Sequence, residues 1–231
     1  MSILDVIFPR FCLDCHLPGA YICPRCQVKL KYSYQNRCFY CHKGSLNNLT
    51  HPKCLNKFNI DGVTSLYLYN NFLRKIIKNI KYRLAKEIWK EFALLIKPVV
   101  IEKLAYYSNL SGKLFLQPIP LSKKRLRDRG FNQAFFLCKY FQKFLTLPIS
   151  DFIIRVKDTK SQAELKNKRE RYNNLRGAFK INDHGHPELI LGSRIVLVDD
   201  VITSGSTVKE AAKILKKFGA IKIYILALAK G

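Results

Sequence analysis

Acidic residues are scarce in this chain: 16 Asp and Glu stand against 41 Lys and Arg, a formal net charge of +25 over 231 residues. Such an excess of one sign speaks against basic partners and favours phosphate, in nucleic acid or in small molecules. No uncharged apolar run of about 18 residues occurs, so stable membrane insertion is not expected. The opening "MSILDVIFPRF" has neither a basic leader nor a sustained apolar segment, which predicts no signal peptide and a cytoplasmic location. Neither GxxxxGK[ST] nor GxGxxG is present, which argues against an ATPase and against a dinucleotide site. Low-complexity tracts are also absent, and 48% hydrophobic with 25% charged residues describes a globular protein.

Cysteine is nearly confined to one region. Seven of the eight lie within residues 12–54. They form the pairs Cys12/Cys15, Cys23/Cys26 and Cys38/Cys41, with His51/Cys54 as a fourth pair, each with two residues between its members. Two thiolates at that spacing grip one tetrahedral Zn²⁺ from a tight turn, so these eight ligands predict two structural zinc ions. Sequential sharing puts Cys12, Cys15, Cys23 and Cys26 on one ion and Cys38, Cys41, His51 and Cys54 on the other. An interleaved arrangement is the alternative, and the short "HLPGAYI" spacer between the first two pairs favours the sequential one. Full Cys/His sets leave no position open for a substrate. The remaining thiol, Cys138 in "AFFLCKYF", reads as core.

The stretch "RIVLVDDVITSGSTV" (194–208) joins a buried-type β-branched run to two aspartates and a small, hydroxylated loop. The amphipathic "VKEAAKILKKF" and the apolar "IKIYILALA" follow, so the segment reads as the strand-to-helix turn of a βαβ unit. Strand and helix patterns alternate from residue 113 onward: a strand at 113–121, a helix at 129–145, a strand at 151–156 and a basic helical stretch around 163–176. This order predicts an α/β fold with a parallel sheet flanked by helices. Ligands of such sheets sit at the carboxyl ends of the strands, where Thr203, Ser204, Gly205, Ser206 and Thr207 stand. Successive amides of that loop, its hydroxyls and the following helix N-terminus suit a phosphate. Asp199 and Asp200 suit the vicinal hydroxyls of a ribose or a Mg²⁺ ion. Basic charge concentrates close by in sequence: residues 122–176 hold 15 Lys/Arg and 5 Asp/Glu. Within it Arg125, Arg127 and Arg129 are candidates for a diphosphate, because guanidinium pairs bidentately with phosphate oxygens.

"IVLVDDVITSGST" resembles the phosphoribosyl diphosphate (PRPP) signature of type I phosphoribosyltransferases. Taken with the zinc knuckles, "PIPLSKKRLRDRGFNQ" and "TKSQAELKNKRERYNNLRGAF", the chain resembles the ComF competence-protein family over essentially its whole length. The resemblance implies a type I phosphoribosyltransferase-like sheet at 60–231 and a double zinc ribbon at 1–59. It implies PRPP with Mg²⁺ as ligand, with Asp199 and Asp200 on the ribose and Thr203 to Thr207 on the 5′-phosphate. Gln162, Arg169 and Asn173 would then belong to a segment that closes over the ligand. Two positions depart from the family pattern: Gln117 stands where an apolar residue is usual, and His51 where a cysteine is.

No acceptor signature is legible, and catalytic residues cannot be named from the sequence. The family resemblance implies handling of incoming single-stranded DNA during natural transformation, beside a helicase-like partner. Two other readings stay open: an active phosphoribosyltransferase serving nucleotide or cofactor salvage, and a zinc-stapled adaptor whose PRPP loop is vestigial.

Overall fold

The computed structural model describes residues 9–33, 36–80, 85–110, 112–159, 170 and 174–231. After the cysteine-rich segment the order is β1 (Gly62–Leu68), α1 (Asn71–Ile80), α2 (Ala85–Ser108), β2 (Leu114–Pro118), α3 (Lys123–Arg129) and α4 (Gln133–Leu145). There follow β3 (Ile153–Arg155), β4 (Phe179–Ile181), β5 (Arg194–Ile202), α5 (Ser206–Lys217) and β6 (Lys222–Lys230). Four strands form a parallel sheet in the order β1-β6-β5-β2. Thr64, Leu226, Val198 and Pro118 stand in one row across it, so all four strands end toward the same edge.

Two apolar layers cover the sheet, and alternation along the strands builds both. On β5, Val196 and Val198 face one layer while Ile195 and Leu197 face the other, and all four are fully buried. The first layer holds α1, α2 and α4, and the second holds α5 together with the β3–β4 hairpin. Full burial of such aliphatic side chains stabilises by about 1.5–3 kcal/mol each. This explains why a continuous apolar run, rather than an alternating one, encodes a central strand.

Several expected elements differ in detail. The helix expected over 129–145 starts later, as α4 at Gln133: Gly130 adopts φ 77° and ends the separate short helix α3, and Asn132 then caps α4 by accepting from the Ala134 amide at 3.0 Å. The strand expected at 151–156 is shortened to β3, and it pairs antiparallel with β4 in a separate two-stranded sheet. Most of the helical stretch expected around 163–176 lies outside the described residues.

The cysteine-rich segment is packed against the sheet domain. Cys12, Ile22, Cys23, Cys26 and Leu30 belong to the same apolar layer as α1 and α2. Asp14 takes ion pairs from Lys29 at 2.5 Å and from Lys75 of α1 at 2.6 Å, which hold its carboxyl down at about 2. Among the described residues, no helix is long and apolar enough to cross a membrane.

Candidate functional site

The carboxyl edge of the sheet opens into a cleft of about 410 Å³. Asp199 and Asp200, at the end of β5, line its floor, and Thr203 and Thr207 line it from the loop before α5. Each aspartate folds back on the chain: Asp199 Oδ1 accepts from the Asp200 amide at 2.8 Å, and Asp200 Oδ1 from the Val201 amide at 2.7 Å. Both carboxylates are thereby tied to the backbone at the floor of the cleft. Gly205 takes φ 71°, a conformation that costs an ordinary side chain about 1–2 kcal/mol, and this turn aims the loop into α5. Ser204 and Ser206 hydroxyls lie 3.0 Å apart across it.

Facing this acidic floor is a basic wall. Arg125 and Arg129 line the cleft because they are four residues apart on α3 and share a face. Arg127 lies on another side of that helix, exposed, and is not among the lining residues. Sequence reasoning missed Arg155 on β3, which also lines the cleft and is only 9% exposed. Burial, with the neighbouring Arg125 charge adding to it, pushes the Arg155 guanidinium down to about 10, so it remains cationic at neutral pH. Arg155 donates to the Thr159 hydroxyl, and Arg125 Nη2 donates to the Thr159 carbonyl at 2.7 Å. One buried residue thus positions two like charges side by side, an arrangement that a bound polyanion relieves. The signal for Arg155 was weak, a lone charge in a short apolar strand. Gln162, Arg169 and Asn173 lie outside the described residues.

Gln117, the departure on β2, is fully buried and its amide is satisfied. Its Oε1 accepts from the Phe152 amide at 2.7 Å and from Ser150 at 3.2 Å, and its Nε2 donates to the Pro118 carbonyl at 2.8 Å. It therefore ties the strand that delivers the "PIP" turn to the segment leading into β3. Gln117→Leu is expected to cost about 1–3 kcal/mol by orphaning the Phe152 amide, read as a lowered urea midpoint at unchanged slope. A midpoint equal to that of the parent chain would show that these bonds are replaceable.

The cysteine-rich segment brings its pairs together sequentially. Cys12, Cys15, Cys23 and Cys26 form one cluster and Cys38, Cys41, His51 and Cys54 the other, with all ligand atoms in each within 4.8 Å of one another. A tetrahedral site with Zn–S bonds of about 2.3 Å has edges of about 3.8 Å, so both donor sets fit Zn²⁺. Cys15 Sγ and Cys23 Sγ are 3.5 Å apart, and Cys41 Sγ and His51 Nδ1 are 3.2 Å apart. The Gly44 carbonyl, 2.8 Å from His51 Nε2, can only accept, so Nε2 carries the proton and Nδ1 presents its lone pair to the cluster. Protonation chemistry also suits a dication. Burial pushes Cys12 up, but backbone amides of Cys15, Cys23 and Asp14 outweigh it and hold the thiol at about 6; Cys26 is pushed up to about 12 by burial and by the neighbouring thiols. The second cluster repeats the division, with Cys38 at about 6 and Cys54 at about 11. His16 and His42 both take φ 60° and are exposed beside the clusters.

The second cluster touches the loop before α5. Phe39, between Cys38 and Cys41, is 6% exposed and packs against Gly205 so closely that a Cβ there would overlap its ring. Lys209 of α5 and Lys230 of β6 place their ammonium groups 5.1 and 5.3 Å from the same ring's centroid.

Comparison with known proteins matches residues 133–231 to the phosphoribosyl transferase domain family. Competence protein F of Haemophilus influenzae is 38% identical over 116 residues, 49% of this chain and 48% of that protein, so the chain spans about half of that relative's length. DNA utilization protein YhgH of Salmonella typhimurium is 29% identical over 93% of this chain and 98% of its own length. Competence protein ComFC of Bacillus subtilis is 29% identical over 67% of this chain and 58% of its own. Similarity thus extends beyond the phosphoribosyl transferase domain of residues 133–231, to proteins named for competence and DNA utilization.

Proposed function

We propose that this chain binds PRPP with Mg²⁺ at the carboxyl edge of the sheet and handles single-stranded DNA arriving in the cytoplasm during natural transformation. The observation that carries the reading is the cleft itself. An acidic pair, two loop threonines and four arginines, Arg74, Arg125, Arg129 and Arg155, converge on about 410 Å³, a volume within the range of small-molecule sites. In this reading Asp199 and Asp200 hold the ribose hydroxyls, directly or through Mg²⁺. Residues 203–207 hold the 5′-phosphate, and Arg125, Arg129 and Arg155 hold the diphosphate. Residues 1–59 serve as a zinc-stapled module and 60–231 as the PRPP-binding unit. The relatives' names support the DNA role, and the basic residues of 122–176 supply charge able to follow a phosphate backbone. A helicase-like competence protein is the partner this role calls for.

Calorimetry of PRPP with Mg²⁺ tests the cleft. The double variant Asp199→Asn, Asp200→Asn is expected to weaken binding by more than about a hundredfold, since each charged hydrogen bond is worth about 1.5–3 kcal/mol. Unchanged affinity would remove the acidic pair from the site. Affinity for single-stranded DNA should fall steeply as salt rises, and a flat response would count against the DNA role. An active phosphoribosyltransferase is the second reading, favoured by a further cavity that reaches Asp200. Release of diphosphate from PRPP only when an acceptor is added would distinguish reaction from binding.

A further inference from the structure

A separate cavity, of about 270 Å³, lies where the second Cys/His cluster meets the sheet, and it shares no lining residue with the cleft described above. Three parts of the chain build it. Arg37 and His42 come from the knuckle that carries Cys38 and Cys41, which the bridge between Arg37 and Gly44 closes. Asn48 comes from the turn that follows, and the bridge between Leu49 and Gly62 ties that turn to β1. Ser65 of β1 and Lys230 at the end of β6 complete the wall from the sheet side. No Asp or Glu lines it.

The donors in this wall are unspent. Asn48 is 9% exposed, and its Oδ1 accepts from the Arg37 amide at 3.4 Å, which leaves Nδ2 as the outward end of the side chain. That Nδ2 has no hydrogen-bond partner among the described residues, and it is not sealed from solvent, so it opens into the cavity that Asn48 lines. Neither Arg37 nor Lys230 is in an ion pair among the described residues. Lys230 is half-buried, with its ammonium over the Phe39 ring at 5.3 Å. Two like charges and an amide donor thus face one small space that holds no counter-charge, and an anion completes such a set.

We propose that this seam is a phosphate site, with Asn48 Nδ2, Arg37 and Lys230 as its donors. Guanidinium offers phosphate two parallel N–H groups and ammonium a point charge, while the amide adds direction from a third side. The volume lies below the range of about 300–1,000 Å³ usual for whole small-molecule ligands, so the cavity suits one phosphate with its attached sugar. A phosphate within a single strand and a free phosphate ion offer the same chemistry. The inference rests on the proposed DNA role only for the choice between those two sources.

Asn48→Asp is the variant that tests it. Aspartate keeps the acceptor for the Arg37 amide and tolerates the φ of 59° at that position, but it turns the donor into a carboxylate that repels the anion. The new carboxylate also gains Arg37 and Lys230 as partners, so the variant is expected to fold at least as stably as the parent chain. In anisotropy titrations, labelled oligothymidylate should bind Asn48→Asp at least about tenfold more weakly, the loss of one charge-assisted hydrogen bond. Arg37→Gln with Lys230→Gln should flatten the slope of log affinity against log salt by about 0.7, the value for one phosphate of a single strand. Lys143→Gln with Lys217→Gln removes equal charge from exposed positions in the last turns of α4 and α5, and should leave affinity within a fewfold. For the free ion, sodium phosphate should raise the thermal midpoint of the parent chain more than that of Asn48→Asp, each measured against sodium chloride at equal ionic strength. Weakened strand binding assigns the DNA backbone as the source. A phosphate response confined to the parent chain, with strand affinity equal in both, assigns the free ion. The proposal is overturned if Asn48→Asp matches the parent chain in strand affinity and in its response to phosphate, or if the control pair weakens the strand as much as the seam variants do. Absence of any oligothymidylate binding would remove the DNA role while the phosphate titration still decides the seam, and strand binding equal in every variant would leave that role standing without this site.

Discussion

Gly205→Val is expected to reduce PRPP affinity by at least a hundredfold while the sheet stays folded. Two costs coincide at that residue. Its φ of 71° belongs to the left-handed region, which β-branched side chains resist most strongly. Its missing Cβ is also the space occupied by the Phe39 ring, and Phe39 is anchored between two metal-ligating cysteines and cannot easily retreat. The loop must therefore move outward, and amides that converge on one phosphate lose their common focus. Ser204→Ala, by contrast, removes one hydroxyl and leaves the backbone path intact, so a loss below about tenfold is expected. Calorimetry with PRPP and Mg²⁺ measures both. A valine variant that binds within a fewfold of the parent chain would show that the loop does not hold the phosphate.

The sheet was legible because its strands are buried on both faces. Residues 195–198 and 223–229 read as continuous apolar runs, and each run is a central strand of the parallel sheet. The ligand clusters were legible for a different reason, since paired ligands at fixed spacing leave few tetrahedral arrangements and the short first spacer selects one. Arg155 was not legible, because it carries no local pattern. Arg155 gains its meaning from Arg125, 30 positions away, through their shared Thr159. Arg127 differs from its neighbours in placement: a run of alternating arginines suggests one cluster, but a helix turns about 100° per residue, and Arg125 and Arg129 line the cleft while Arg127 does not. Gly130 and Asn132 marked the break between α3 and α4 in plain view, a left-handed stop followed by a cap, yet the apolar period of the following helix masked them.

The two metal clusters should differ in what their loss does, because they are built into different parts of the molecule. Cys12, Cys23 and Cys26 sit within the apolar layer that includes α1, α2 and β6, so dismantling that cluster exposes part of the main core. Cys23→Ser with Cys26→Ser is therefore expected to lower the metal content from two ions to one and the thermal midpoint by more than 10 °C, or to leave the protein insoluble. The second cluster lies over the loop before α5, and its members Cys41, His51 and Cys54 are only partly buried. Cys41→Ser with Cys54→Ser should also leave one ion but lower the midpoint less. Its larger effect should fall on PRPP, about tenfold weaker, because Phe39 no longer braces Gly205 and the Lys209 and Lys230 ammonium groups lose the ring they cover. Metal analysis, thermal unfolding and calorimetry on the two double variants separate these effects. Equal losses of stability and equal losses of PRPP affinity in both would mean that the clusters act as one staple, and that the contact between Phe39 and Gly205 transmits nothing to the site.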